Sequence, residues 1–152
     1  MVTKIHRVDL EKPSIHVSYH GVNHSAIEFG VGYFIHGLFS LPHAGDWKAS
    51  RSYAIAARVE LGDTTMYAVE ASIWGSGIIG TGLSVGYYGN SSTNSFYIRP
   101  EVGLGEIPLG FAYIRPTIGW NIRFLNNGAP ALNSPDLQMR VTIPLGASSN
   151  PE

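Results

Sequence analysis

Residues 25–37 read Ser-Ala-Ile-Glu-Phe-Gly-Val-Gly-Tyr-Phe-Ile-His-Gly. Ile27, Phe29, Val31, Tyr33 and Ile35 share one parity; Glu28, Gly30, Gly32 and His36 share the other. A period of two marks a β-strand, whose successive side chains leave on opposite faces. The apolar set is ordinary. The second set is unusual, because glycine in an exposed strand centre weakens the strand without adding any packing. Small residues with an isolated charge suit a crowded interior better than a soluble surface.

The same alternation recurs on both sides of this segment. Upstream, Ser14–Gly21 sets Ile15, Val17 and Tyr19 against His16, Ser18 and His20. Downstream, Arg51–Leu61 sets Tyr53, Ile55, Ala57 and Val59 against Ala54, Ala56, Arg58 and Glu60, and Thr65–Trp74 sets Tyr67, Val69, Ala71 and Ile73 against Ala68, Glu70 and Ser72. Ile78–Tyr88, Phe96–Gly105, Leu109–Phe124 and Asp136–Gly146 complete eight candidates, with Arg99, Glu101, Arg115, Arg123 and Arg140 on the small-residue parity. Turn-forming residues separate them at Gly62-Asp63-Thr64, Gly75-Ser76-Gly77, Gly89–Asn94 and Asn126–Pro135. The three-residue Gly62–Thr64 connection keeps Glu60 and Met66 on one face. The longest break is Leu38–Ser50, with Pro42, Gly45 and Trp47. No segment carries a helical period.

Eight strands in up-and-down order form a self-closing sheet. The expected fold is all-β: an eight-stranded antiparallel up-and-down transmembrane β-barrel over residues 14–146, with an N-terminal tail at 1–13 and a C-terminal tail at 147–152. A repeat, Tyr97-Ile98-Arg99-Pro100 and Tyr113-Ile114-Arg115-Pro116, places prolines in mid-strand. Proline removes a ladder hydrogen bond, so a bulge or a membrane boundary is expected at Pro100 and Pro116.

Composition narrows the class. Charged residues make up 14 % of the 152-residue chain and the formal charge is −1, which argues against a nucleic-acid partner. Lys4, Lys12 and Lys48 are the only lysines, whereas soluble β-proteins use lysine to blunt sheet edges. The absence of cysteine removes disulfides, thiol nucleophiles and Cys-zinc sites. Residues 1–14 have no apolar core of the signal-peptide kind, so an exported chain would be seen here in its mature form.

With the apolar parity facing lipid, the small parity fills the lumen, and its charges must pair because an isolated buried charge is prohibitively costly. Glu28, Glu60, Glu70 and Glu101 against Arg58, Arg99, Arg115, Arg123 and Arg140 form the expected interior ion network. Arginine suits such pairing through its fork of donors. Tyr33, Tyr53, Tyr67, Tyr87, Phe96, Trp120 and Phe124 are expected to form interfacial aromatic girdles.

On these features residues 14–146 resemble the small eight-stranded outer-membrane barrels of the OmpA/OmpX type. The segment Tyr97–Gly105 (YIRPEVGLG) and a last strand ending Ile143-Pro144-Leu145-Gly146 are also similar to outer-membrane barrels of Bacteroidetes-type bacteria. The resemblance implies a bacterial outer-membrane location, the lipid bilayer as partner, a possible larger membrane-protein complex, and no cofactor. Two departures are visible: the last strand does not end the chain in an aromatic residue, and the loops are short at both ends. Outer-membrane lipid A deacylases, of similar size, carry a His-x-Ser-Asn-Ala motif; here Arg123–Ala129 has neither His nor Ser in place.

Other chemistry has a plainer explanation at each position. His16, His20, His24 and His36 show no metal-ligand spacing. Glu28 and Glu70 would be a carboxylate pair for acid–base work, but five arginines favour a buried ion network. Ser18, Ser72 and Ser84 lack a demonstrable histidine partner, and Gly75–Gly86 is alternating strand glycine rather than a phosphate loop. The expected function is therefore a non-enzymatic envelope barrel with a plugged interior. A lipid-modifying hydrolase and a soluble lipocalin-like barrel are the alternatives.

Overall fold

The computed structural model describes residues 8–21, 25–41, 45–61, 65–90, 94–124 and 134–146. Their strands are β1 (Val8–Gly21), β2 (Ser25–Leu41), β3 (Gly45–Leu61), β4 (Met66–Ser76), β5 (Ile79–Gly89), β6 (Asn94–Leu104), β7 (Ile107–Leu109), β8 (Ala112–Phe124) and β9 (Ser134–Pro144). His24, the Gly62–Thr64 loop, residues 126–133 and the 147–152 tail lie outside the described residues.

All pairings are antiparallel, and β1–β9 and β6–β8 close the sheet on itself. β7 continues the stave of β6, so the wall is a closed eight-stranded up-and-down barrel. From Lys12 the pairing runs through Phe34, Ser52, Trp74, Gly82, Glu101 and Gly119 to Asp136. Asp136 adjoins Leu137, which pairs with Gly21 at the far end of β1. The strands are thus strongly tilted, as closure of a small barrel requires.

The two parities separate cleanly. Val31, Ile55 and Val69 are 64, 63 and 62 % exposed, while Glu28, Arg58, Glu70 and Arg99 are buried. The apolar set is the outer wall and the small polar set lines the lumen. Glu60 pairs directly with Met66, keeping the β3–β4 register in phase.

Glycine supplies space where large side chains turn inward. Trp74 is 1 % exposed and lies against β5: a Cβ on Gly80 would come 2.2 Å from its ring and one on Gly82 2.5 Å. Gly86 makes the same room for Tyr97, and Gly119 for the stem of Arg99.

Three features depart from the pattern expected of the sequence. β2 and β3 continue through much of the Leu38–Ser50 break, pairing Leu38 with Lys48 and Phe39 with Trp47 down to Leu41 with Gly45. Large apolar and aromatic residues favour strand there, and Pro42 falls between the two strands. β1 begins at Val8, upstream of Ser14, with a register shift between Asp9 and Lys12. Leu109–Phe124 is not one strand: the chain reverses at Gly110 and Phe111, where Gly110 adopts φ 62°, a left-handed conformation that suits glycine.

The prolines behave differently from each other. At Pro100 the β6–β8 ladder lapses between Ile98↔Ile122 and Glu101↔Gly119 without a register change. Pro116 faces a bulge. Between Gly103↔Thr117 and Ile107↔Ile114, residues 104–106 oppose Arg115 and Pro116 alone. The extra residue reverses the parity downstream of it.

Gly82→Val should lower stability by about 1–3 kcal/mol through overpacking against Trp74, read as an earlier midpoint in denaturant unfolding of the folded barrel. Gly75→Ala meets open space and should leave that midpoint unchanged.

Candidate functional site

The lumen is the chemically distinctive part of the molecule, and it is built in three tiers. The middle tier is ionic. Arg99 is its hub: Nη2 donates to Glu70 Oε1 at 2.7 Å, Nε to Glu101 Oε1 at 2.9 Å and Nη1 to Asp136 Oδ2 at 3.3 Å. Its residue position on the inner face of β6, with β4 and β9 across the lumen, lets one guanidinium tie three staves. Arg140 does the same on the other side. Its Nη2 donates to Glu28 Oε1 at 2.9 Å, its Nε to Ser18 Oγ at 3.0 Å and its Nη1 to Ser72 Oγ at 3.3 Å.

Neutral side chains complete these carboxylates. Ser18 donates to Glu28 at 3.0 Å, Ser84 to Glu101 at 2.7 Å, and the Tyr97 hydroxyl to Glu70. Arg58 Nη2 donates to Glu60 at 3.0 Å, with Nη1 at 3.9 Å from both Glu70 and Asp136. His20 bridges two acids: Nδ1 lies 2.8 Å from Asp136 and Nε2 3.3 Å from Glu28. His16 Nε2 stands 3.5 Å from Glu28.

Aromatic tiers flank this network. Toward the 62–64 and 91–93 loops, Arg123 stacks over Tyr88 at 4.4 Å and Arg58 over Tyr97 at 5.1 Å, with Tyr88 edge-on to Tyr97. Toward the end where β1 begins and β9 finishes, Arg115 lies over Trp74 at 4.3 Å and donates to Ser52 at 3.1 Å. Phe34 and Tyr113 meet there with ring centroids 4.8 Å apart. Cation–π contact gains strength in such desolvated surroundings.

All nine residues expected in the ion network border the lumen, but they are not equivalent. Glu28, Glu70, Glu101, Arg58, Arg99 and Arg140 form the connected centre. Among the described residues Glu60 pairs at its edge, through Arg58. Arg115 is an outlier toward one mouth, near Glu106. For Arg123 the described partner is a ring rather than a carboxylate.

The sequence pattern missed Asp136, Glu106, His20 as a bridging group, and the inward aromatics Trp74, Tyr88 and Tyr97. Parity could have found most of them, because Trp74 continues the series of Glu70 and Ser72, and Asp136 that of Gln138 and Arg140. Only Glu106 has no such signal.

The arrangement offers little to catalysis. Ser18 is 1 % exposed, and its hydroxyl both donates to Glu28 and accepts from Arg140. Among the described residues its hydrogen-bond partners are Glu28 and Arg140, not an imidazole. Glu28 and Glu70 are each held by arginine. Among the described residues no group of three His, Cys, Asp or Glu is arranged to hold a metal ion.

Comparison with known proteins adds no family. No protein-family model, curated protein or solved structure matches the chain. The likeness to small barrels therefore rests on strand number, closure and the two faces. Of Arg123–Ala129, the stretch set beside the deacylase motif, only Arg123 and Phe124 lie within the described residues.

Arg99→Met should cost about 3–5 kcal/mol, since removing one partner of a buried pair leaves the other charge uncompensated; here three carboxylates lose their hub. Arg123→Met should cost markedly less. Denaturant unfolding of both variants beside the native chain, under the same conditions, measures the difference.

Proposed function

We propose that the chain is a small, non-enzymatic outer-membrane β-barrel with a plugged polar interior, serving as an envelope structural protein or as an accessory subunit of a membrane complex. One observation carries this: the exposed outer wall is mostly large apolar side chains, with Arg51 a charged exception, while the ion network is inside. Val17, Val31, Ile55, Val69, Leu83, Val102, Ile118 and Met139 are exposed, one on each of the eight successive staves. A monomeric soluble protein rarely exposes an apolar patch beyond a few hundred Å², and a belt running round the whole wall exceeds that.

Two further features fit lipid. β4, β5, β6 and β9 are 11 residues each, within the ~9–11 that a tilted transmembrane strand needs. The expected girdle aromatics are all exposed on the outer wall. Tyr87, Phe96 and Phe124 pair across three neighbouring staves, and Tyr33 pairs with Tyr53 toward the other end, as two interfacial bands require.

A soluble ligand-binding barrel would need an apolar cavity, whereas this lumen is packed with arginine, carboxylates and rings. The same packing argues for a plug rather than a pore. Service as a subunit would use the outer wall or the loops.

In detergent, unboiled protein should migrate apart from its boiled form on a gel, and expression without detergent or lipid should give aggregate. A monodisperse soluble monomer in plain buffer would overturn the membrane assignment. Reconstituted in vesicles, Trp120 on the outer wall should be quenched by brominated acyl chains in a Trp47→Phe background, where Trp74 stays shielded within the lumen. No steady conductance is expected across a planar bilayer.

A further inference from the structure

The lumen is filled through its centre but not at the mouth near the two chain ends. There Ala49, Ser50, Ser76, Glu106, Pro108 and Tyr113 line a partly open cavity of about 130 Å³. Glu106 reaches it from the bulge between β6 and β7. Its side chain is 3 % exposed; one oxygen lies 3.5 Å from Arg115 Nη1, and Oε2 has no hydrogen-bond partner among the described residues.

Among the described residues Glu28 Oε2 also lacks a hydrogen-bond partner, but it lies 3.3 Å from His20 Nε2 and its carboxylate is anchored through Oε1. Glu28, Glu70, Glu101 and Asp136 each have a nitrogen or hydroxyl partner at 3.0 Å or closer, and Glu60 is bonded by Arg58 at 3.0 Å. A buried acceptor left unpaired costs about 1–3 kcal/mol, more when charged, so Glu106 Oε2 calls for a donor.

The remaining lining specifies the donor. The Ser50 and Ser76 hydroxyls bond each other at 2.6 Å, and each oxygen keeps acceptor capacity beyond that bond. Ala49, Pro108 and the Tyr113 ring supply apolar wall. We propose that this cavity binds a primary alkylammonium group, whose three N–H donors meet Glu106 Oε2 and the Ser50 and Ser76 hydroxyl oxygens while its methylenes lie against the apolar wall. The volume suits a few methylenes, since a cavity of about 150 Å³ admits benzene. Divalent calcium is a poorer match, as it takes about 6–8 oxygens. The ammonium can come from a free amine, from a lysine of a partner, or from Lys48, two residues from Ser50 along β3.

The barrel folded in detergent micelles is titrated with propylammonium while the backbone amide resonances of Ser50, Ser76 and Gly77 are followed. Saturable shifts confined to this mouth are expected, with none from propyltrimethylammonium, which lacks N–H donors, or from propionate. Glu106→Gln should weaken binding roughly tenfold or more, the loss of a charge-assisted hydrogen bond, and Ser76→Ala less; the gel shift on boiling verifies that both still fold. If the native chain does not respond but Lys48→Met does, the chain's own lysine is the occupant and the site chemistry stands. Equal response to the quaternary analogue, undiminished binding by Glu106→Gln, or no saturable shift in either the native chain or Lys48→Met would overturn the proposal. The site belongs to the lumen and not to the outer wall, so either result leaves the membrane assignment to its own tests.

Discussion

Eight staves enclose an interior only wide enough for side chains, and that narrowness governs everything placed inside. A charge in so small a lumen has no room for bulk water, so its partners must be protein groups. Arg99 and Arg140 meet the requirement by each reaching several staves at once. Space for them comes from glycine on the facing strands, as at Gly119 beneath the Arg99 stem. Ion pairing and glycine content are therefore two consequences of one diameter.

The outer wall follows from the same strands by alternation. Each residue that enters the lumen obliges its neighbours to face outward, and those neighbours are mostly large apolar residues. Under the proposed assignment, lipid is the solvent that such an exterior suits. Buried ion networks contribute little net stability compared with apolar packing, but breaking one is costly. Such a network holds the staves in one register. In the Ser18–Glu28–Arg140 cluster the candidate catalytic groups are bonded to one another.

Most of the wall could be read from local pattern because period-two alternation needs no knowledge of distant neighbours. Glu28, Arg58, Glu70, Arg99 and Glu101 fell on the inner parity from their own segments alone. Arg123 shared that parity, yet its partner turned out to be Tyr88; parity assigns a face and not a contact. Phe34 on the inner parity breaks the polar pattern, and there it meets the ring of Tyr113 on β8. The Leu38–Ser50 stretch looked like a break because Pro42 and Gly45 interrupt it, although Phe39 and Trp47 pair across the hairpin.

What the sequence by itself determined is the strand period, the number of staves and which residue types lie on each face. Those properties are local, set by the geometry of the extended chain and by the cost of burying charge. Only the tertiary structure decided which arginine meets which carboxylate, since closure brings together residues as distant as Ser18 and Arg140. It alone placed Glu106. Simple alternation from Arg99, Glu101 and Gly103 would send Glu106 outward, and a single extra residue opposite Arg115 and Pro116 turns it into the mouth of the lumen. A bulge depends on how two strands pair, and neither strand's sequence contains that information alone.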